Sequence, residues 1–341
     1  MPPRLHLCPL RHLQQLRHAH AHDRLCLSYS TQTEEPLIRV TNLPAPSTGH
    51  IRILELNRPK ARNALSRALL AALRTEVNHV QKQYGPDGQE TGLHLEDQPA
   101  DLGPTRALVL ASAVDACFCA GADLKERRGF TPKETTEFLT TLRATFTALS
   151  EVQIPTISAI SSVALGGGLE LALSTHFRVL SSNAIVGLPE TRLGIIPGAG
   201  GTARLPAIVG ISRARDLILT GRRVSASEAY FLGLADRLVE VAGVPEKRQE
   251  EEEEEGHNYR DERQEGVRLE GARKLALAEA VRLAQEICEG GPVAIRAGLQ
   301  AVGWGRLDKE AEMYERVVAT EDRDEALKAF QEKRKPVFKG R

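Results

Sequence analysis

Short apolar runs alternate with stretches of helical period along most of this chain. Strands are predicted near 51–56, at 107–111, within 154–160 and at 177–180, where small sets of apolar and β-branched residues are bounded by polar ones. Helices are predicted at 65–81, 132–150, 269–289 and from 307 onward, where apolar residues recur every three to four positions. Such an alternation implies an α/β fold with an all-helical end. The period alone does not distinguish a doubly wound sheet from other α/β arrangements. No apolar run approaches the roughly 18 residues of a membrane span, so no membrane insertion is expected.

Two segments break the pattern. Residues 84–104 are rich in glycine, proline and acids, which predicts a surface loop between a helix and a strand. Residues 245–266 contain six consecutive glutamates, 250–255, inside a mixed-charge run. Like charges repel and bury too little to offset the entropy of ordering, so disorder is expected there. The expected organisation is a leading segment 1–32, a core 36–270 with inserts at about 83–105 and 243–268, and a helical region 271–341.

Composition changes the picture mainly at the start. With 341 residues and 41% apolar content the chain can bury one sizeable core. Its formal charge is zero, but the first 30 residues hold four arginines, five histidines and a single acid, Asp23, and end in a run of hydroxyl residues. This arginine-rich, acid-poor pattern fits a mitochondrial transit peptide, so the mitochondrial matrix is the expected location. Losing four cations and one acid leaves the remainder near −3, mildly acidic. The five cysteines (Cys8, Cys26, Cys117, Cys119, Cys288) have no C-x-x-C spacing and read as packed thiols rather than metal ligands or disulfide partners.

The candidate chemistry lies in three segments. Glu170 interrupts an apolar helix start, Leu169 to Leu173, just after Gly166, Gly167 and Gly168. A carboxylate in such a run is costly to bury unless it is hydrogen-bonded or its pKa rises. Glu190 sits before a second glycine-rich turn that contains Pro197, Gly198, Ala199, Gly200 and Gly201. The third segment, Phe118-Cys119-Ala120-Gly121-Ala122-Asp123-Leu124-Lys125-Glu126-Arg127, puts small residues at a strand end. Two turns with unobstructed amides could converge on one oxygen, as an oxyanion hole requires.

These segments, in this order, together with Leu56-Asn57-Arg58-Pro59-Lys60-Ala61-Arg62-Asn63-Ala64-Leu65, resemble the motifs of the enoyl-CoA hydratase (crotonase) family over about residues 36–341. The resemblance implies a crotonase-like ββα superhelix with a C-terminal helical trimerisation region, and a homotrimer or homohexamer. It implies an oxyanion hole formed by the amides of Ala122 and Gly167, and a water held between Glu170 as base and Glu190 as acid. Gly198 resembles a glycine whose amide helps to order the site. Coenzyme A, as part of the substrate, would lie along Lys60, Ala61, Ala120, Asp123, Leu124 and Lys125, with Phe330 and Lys333 reaching a neighbouring subunit's CoA; no separate cofactor or metal is implied. The implied reaction is hydration of an enoyl-CoA thioester. The leading substrate is 3-methylglutaconyl-CoA of leucine breakdown, and the alternative is a short-chain enoyl-CoA of fatty-acid oxidation. Arg127 or Arg128 is a candidate partner for the extra carboxylate of the former. RNA binding is the competing reading from another class, but helix 65–76 carries only two arginines and no lysine, a poor basic stripe.

Overall fold

The structure, a computed structural model, describes residues 35–85, 87–92, 102–241 and 259–341. The expected transit segment 1–32 and the glutamate run lie outside them. Six strands form one sheet in the order β1 (Ile38–Pro44), β2 (His50–Leu56), β3 (Thr105–Ser112), β5 (Thr156–Ile160), β7 (Phe177–Ser181) and β10 (Arg237–Val239). Only the β1–β2 pair is antiparallel. A second sheet holds β4 (Cys117–Cys119), β6 (Val163–Leu165), β8 (Ile185–Gly187) and β9 (Arg223–Ser225).

The chain builds both sheets together. Each passage leaves a strand in the large sheet, adds a short strand to the small one, and then turns into helix. β3 and β4 lead to α2 (Leu124–Arg127) and α3 (Pro132–Ser150), β5 and β6 to α4 (Gly167–Ala172), and β7 and β8 to a 3-10 turn, Glu190–Leu193, ahead of α5 (Gly201–Val209), α6 (Ile211–Thr220) and α7 (Ala226–Phe231). This is a ββα repeat, and it resolves the choice that periodicity left open.

The large sheet is covered on both faces, which is why β3 and β5 are buried at every position. Even-numbered Leu54, Leu56, Leu108 and Leu110 join the cluster that includes α1 (Arg67–Gln81) and α3. Odd-numbered Ile51, Ile53, Ala107 and Val109 join Ala280, Leu283 and Ala284 of α8 (Tyr259–Cys288). Ala272, Ala276, Ala280 and Ala284 recur every four residues on α8 and are all fully buried, so a small-residue stripe lets this helix lie close on the sheet. α3 begins at a complete capping box, with Thr131 and Glu134 satisfying each other's backbone amides and Pro132 in the first turn.

Three expectations change. α8 begins at Tyr259, inside the stretch read as disordered, and its exposed turns are joined by Arg268–Glu265 and Lys274–Glu270 ion pairs. The boundary expected near 270 therefore falls within one helix that roofs the core. Sequence reading also passed over β1, the helix α9 (Pro292–Trp304) and most of the small sheet, whose strands are too short for period to show.

The third change concerns the first insert. The described residues 84–85 and 87–92 are not a loose loop: Tyr84 is buried, its hydroxyl donates to the Thr105 carbonyl, and it bridges to Glu90. The Glu90 carboxylate pairs with Arg106 of β3 and, at 3.2 Å, with Arg296 of α9, while Arg296 also donates to the Gly88 carbonyl at 2.7 Å. Both guanidiniums are almost fully buried. Glu90→Ala leaves two buried cations uncompensated and is expected to cost ~3 kcal/mol of stability. Denaturant unfolding would show it; a wild-type midpoint with an unchanged m-value would mean that the segment does not staple the sheet to α9.

Candidate active site

The small sheet positions the site. β4, β6 and β8 run parallel, with Cys119 opposite Ala164 and Leu165 opposite Gly187, so the chain leaves all three at the same edge. The connections that follow, 120–122, 166–168 and 188–190, therefore meet beyond the carboxyl ends of the strands. They line a cavity of about 780 Å3 that also includes Glu170, Gly198, Leu139, Arg127 and Arg143.

Glycine makes the meeting possible. A Cβ on Gly168 would overlap the carbonyl group of Cys119, and one on Gly121, whose φ is +92°, would lie 2.7 Å from the Leu165 carbonyl oxygen. Two of the three strand-end connections thus touch backbone to backbone. Leu65 forms a parallel bridge to Ala122, with its own N–H donating to Gly121 O at 2.7 Å and its carbonyl accepting from Asp123 N at 3.2 Å. That ladder bypasses the Ala122 amide. Gly167 opens α4, so its amide has no acceptor within the helix. The two amides are neighbours: a Cβ on Gly121 would sit 3.3 Å from Gly167 N, and one on Gly167 would sit 3.7 Å from Ala122 N.

Across the cavity, Glu170 Oε1 accepts hydrogen bonds from Ala199 N at 2.7 Å and Gly201 N at 2.8 Å. The turn thus compensates the carboxylate, but through these two amides; Gly198 exerts only a weaker pull on Glu170 and gives its carbonyl to Arg143. Burial raises the Glu170 pKa, and the Gly201 and Ala199 amides oppose that rise. Glu190 is less well served. It is buried, its Oε2 has no hydrogen-bond partner among the described residues, and burial, with the neighbouring Glu170 charge adding to it, pushes its pKa up to about 7.

The residues expected along coenzyme A divide. Ala120 and Leu124 line the cavity, and Leu124 is exposed. Lys60 and Lys125 are solvent-exposed, and Ala61 is half-buried in a short 3-10 turn. The Asp123 carboxylate is already engaged, capping α2 through Lys125 N and Glu126 N and pairing with Arg58 at 2.6 Å, and its backbone N–H and carbonyl are bonded to Leu65 O and Arg127 N, so its polar groups are used within the fold. Arg127 lines the cavity with its guanidinium 5.7 Å from the Phe138 ring centre, whereas Arg128 is exposed outside the lining. The sequence reading missed Arg143 and Arg204, which grip the 198–201 turn from α3 and α5. The described cysteines are poor nucleophiles: burial pushes Cys117 and Cys288 up to about 11 and Cys119 up to about 12. Among the described residues no three His, Cys, Asp or Glu side chains cluster to hold a metal, and no helix is long and apolar enough to cross a membrane.

A raised carboxyl pKa has a definite sign for stability. The folded state holds the Glu190 proton more tightly than the unfolded chain, so the contribution is present at low pH and is lost as pH rises through about 7. Glu190→Gln carries no such loss. Its stability relative to wild type is therefore expected to grow between pH 5 and pH 8, by at most ~3 kcal/mol. Unfolding at the two pH values measures this; a difference independent of pH would mean that Glu190 is not the perturbed acid.

Comparison with known proteins agrees with the geometry. The enoyl-CoA hydratase/isomerase family pattern matches residues 95–254. Methylglutaconyl-CoA hydratase 1, mitochondrial, of Pyricularia oryzae is 61% identical over 347 residues, covering 99% of this chain and 97% of its own length. An enoyl-CoA isomerase/hydratase of Zymoseptoria tritici is 55% identical, with 92% of each chain covered. The crystal structure of an enoyl-CoA hydratase from Bacillus anthracis superposes with a TM-score of 0.70 at 34% identity, spanning 90% of this chain and all of that one. The ββα architecture is thus the crotonase-like superhelix that the motifs implied, and the chain belongs to the enoyl-CoA hydratase/isomerase family.

Proposed function

We propose that the protein adds water across the double bond of an enoyl-CoA thioester, with 3-methylglutaconyl-CoA as the leading substrate. The observation that carries this reading is the unequal pair of glutamates in one cavity. Two amides stabilise the charged form of Glu170 against its burial; Glu190 has an oxygen without a partner among the described residues and a pKa pushed up to about 7, which suits it to carry a proton. Environments that push two carboxyl groups apart suit one for base and the other for acid work.

The thioester oxygen binds between the Ala122 and Gly167 amides. Glu170 removes a proton from water as its oxygen attacks C3, the electron pair of the double bond moves into the enolate on the thioester oxygen, and Glu190 delivers a proton to C2. Each oxyanion donor supplies on the order of 3 kcal/mol to the barrier reduction. Ala120, Leu124 and Ala61 border the coenzyme A path with Lys60 and Lys125 at its solvent edge, and acid, base and oxyanion stabilisation complete the reaction without a further cofactor. Exposed apolar side chains such as Leu307 and Phe330, each 84% exposed, support a homotrimer or homohexamer. The mitochondrial name of the Pyricularia oryzae relative and the arginine-rich leader support import into the mitochondrial matrix. The two arginines of α1 are turned to α3, Arg67 pairing with Glu134 and Arg74 donating to the Ala144 carbonyl, which leaves RNA little to bind.

The substrate choice rests on Arg127. Among the described residues it forms no ion pair, and it lines the cavity beside Leu139 and Thr135, placed to meet an acyl carboxylate. One set of assays on purified protein with crotonyl-CoA and 3-methylglutaconyl-CoA tests the reading. Glu170→Gln and Glu190→Gln should each lower kcat by at least ~100-fold on both thioesters. Arg127→Ala should raise KM for the glutaconyl thioester and leave crotonyl-CoA turnover unchanged. Near-normal turnover in either glutamate variant would remove the mechanism, and equal effects of Arg127→Ala on both substrates would remove the carboxylate assignment.

A further inference from the structure

The 198–199 peptide is bonded at both ends. Its N–H, on Ala199, donates to Glu170 Oε1 at 2.7 Å, and its carbonyl, on Gly198, accepts from Arg143 Nε at 2.6 Å. The next carbonyl, of Ala199, accepts from Arg204 Nη1 at 2.9 Å, and Arg204 also reaches Ser150 Oγ at 3.4 Å. Arg204 passes so close to Gly200 that a Cβ there would overlap its guanidinium, and Gly200 holds φ at +110°. One face of the turn therefore gives its N–H groups to a carboxylate while two of its carbonyls are held by guanidiniums from α3 and α5.

Taking the proposed hydratase reading as its basis, we propose that Arg143 is a positioning residue for Glu170: it orients and polarises the 198–199 peptide whose N–H binds the carboxylate, with Arg204 fixing the adjoining peptide. A carbonyl bonded to a cation draws electron density from its own N–H and strengthens the hydrogen bond that this N–H donates. The device favours the charged form of Glu170 against its burial and aims it, without placing a cation against it, where direct pairing would blunt it as a base. The charged side chains around Glu170 are Glu190 across the cavity, Arg204 from α5 and, through the peptide, Arg143 from α3.

Crotonyl-CoA, which has no second carboxylate, separates this role from substrate recognition. Arg143→Met should lower kcat about tenfold with KM within about twofold, and should move the acidic limb of the pH profile to higher pH, because a weaker amide bond raises the Glu170 pKa. Arg143→Lys, which keeps a charged donor, should recover most of the loss, and Arg204→Met should move the limb in the same direction. Infrared titration of the carboxyl band that Glu170→Gln removes reads the same shift without turnover, so a failure of the hydratase reading leaves this inference open to test. Arg143 is exposed, so its replacement does not threaten the fold. A Glu170 titration unchanged in Arg143→Met, or a loss confined to KM, would overturn the proposal.

Discussion

Everything at the site depends on the approach of two backbone segments that carry no side chains at their contact. The end of β4 lies on the turn between β6 and α4 so closely that a methyl group on Gly168 would collide with the Cys119 carbonyl. This contact brings the Ala122 and Gly167 amides side by side, and the parallel register of β6 and β8 then sets Glu190 beside them. Amides supplied by backbone this tightly packed cannot reorganise much as charge develops on a bound oxygen, which is the property an oxyanion hole needs.

The same packing creates the electrostatic problem on which the proposed chemistry runs. Apolar walls strip water from two carboxyl groups, and their mutual repulsion allows the pair to share charge unequally. The protein resolves this by asymmetry. Glu170 receives two amides from a turn whose carbonyls are tied to Arg143 and Arg204, whereas Glu190 keeps an oxygen without a partner among the described residues. Neither glutamate forms an ion pair among the described residues, so the charge of the site is governed by backbone dipoles rather than by a directly bonded cation.

The parts of this arrangement that sequence displayed are those that break a local rule. A glutamate among leucines, three glycines before a helix and a glycine-rich turn beyond Glu190 are each costly unless something compensates them, and so they stood out. Four strands of the large sheet were legible as short runs of apolar and small residues, such as 107–111 of β3, whereas β1 and β10 were not. The small sheet was not, since a three-residue strand such as β6 has no period to read. Arg143 looks like any polar position on the outer face of an amphipathic helix, and only the fold brings it to Gly198. Glu90 was hidden in the same way by its glycine and proline neighbours, while the first turns of α8 were masked by charges whose pairing at helical spacing stabilises what the composition alone would melt. Asp123, expected along coenzyme A, spends its carboxylate on capping α2 and pairing with Arg58.

The central claim is that one cavity holds an activated water between Glu170 and Glu190 opposite an oxyanion hole made by Ala122 and Gly167. A crystal structure with a bound 3-oxoacyl-CoA, which has no double bond to hydrate, tests it most directly. The account predicts the thioester oxygen within hydrogen-bond distance of both amides, with C2 and C3 facing the two carboxyl groups. A thioester bound with its oxygen away from Ala122 and Gly167, or with its acyl chain turned from the glutamates, would contradict it.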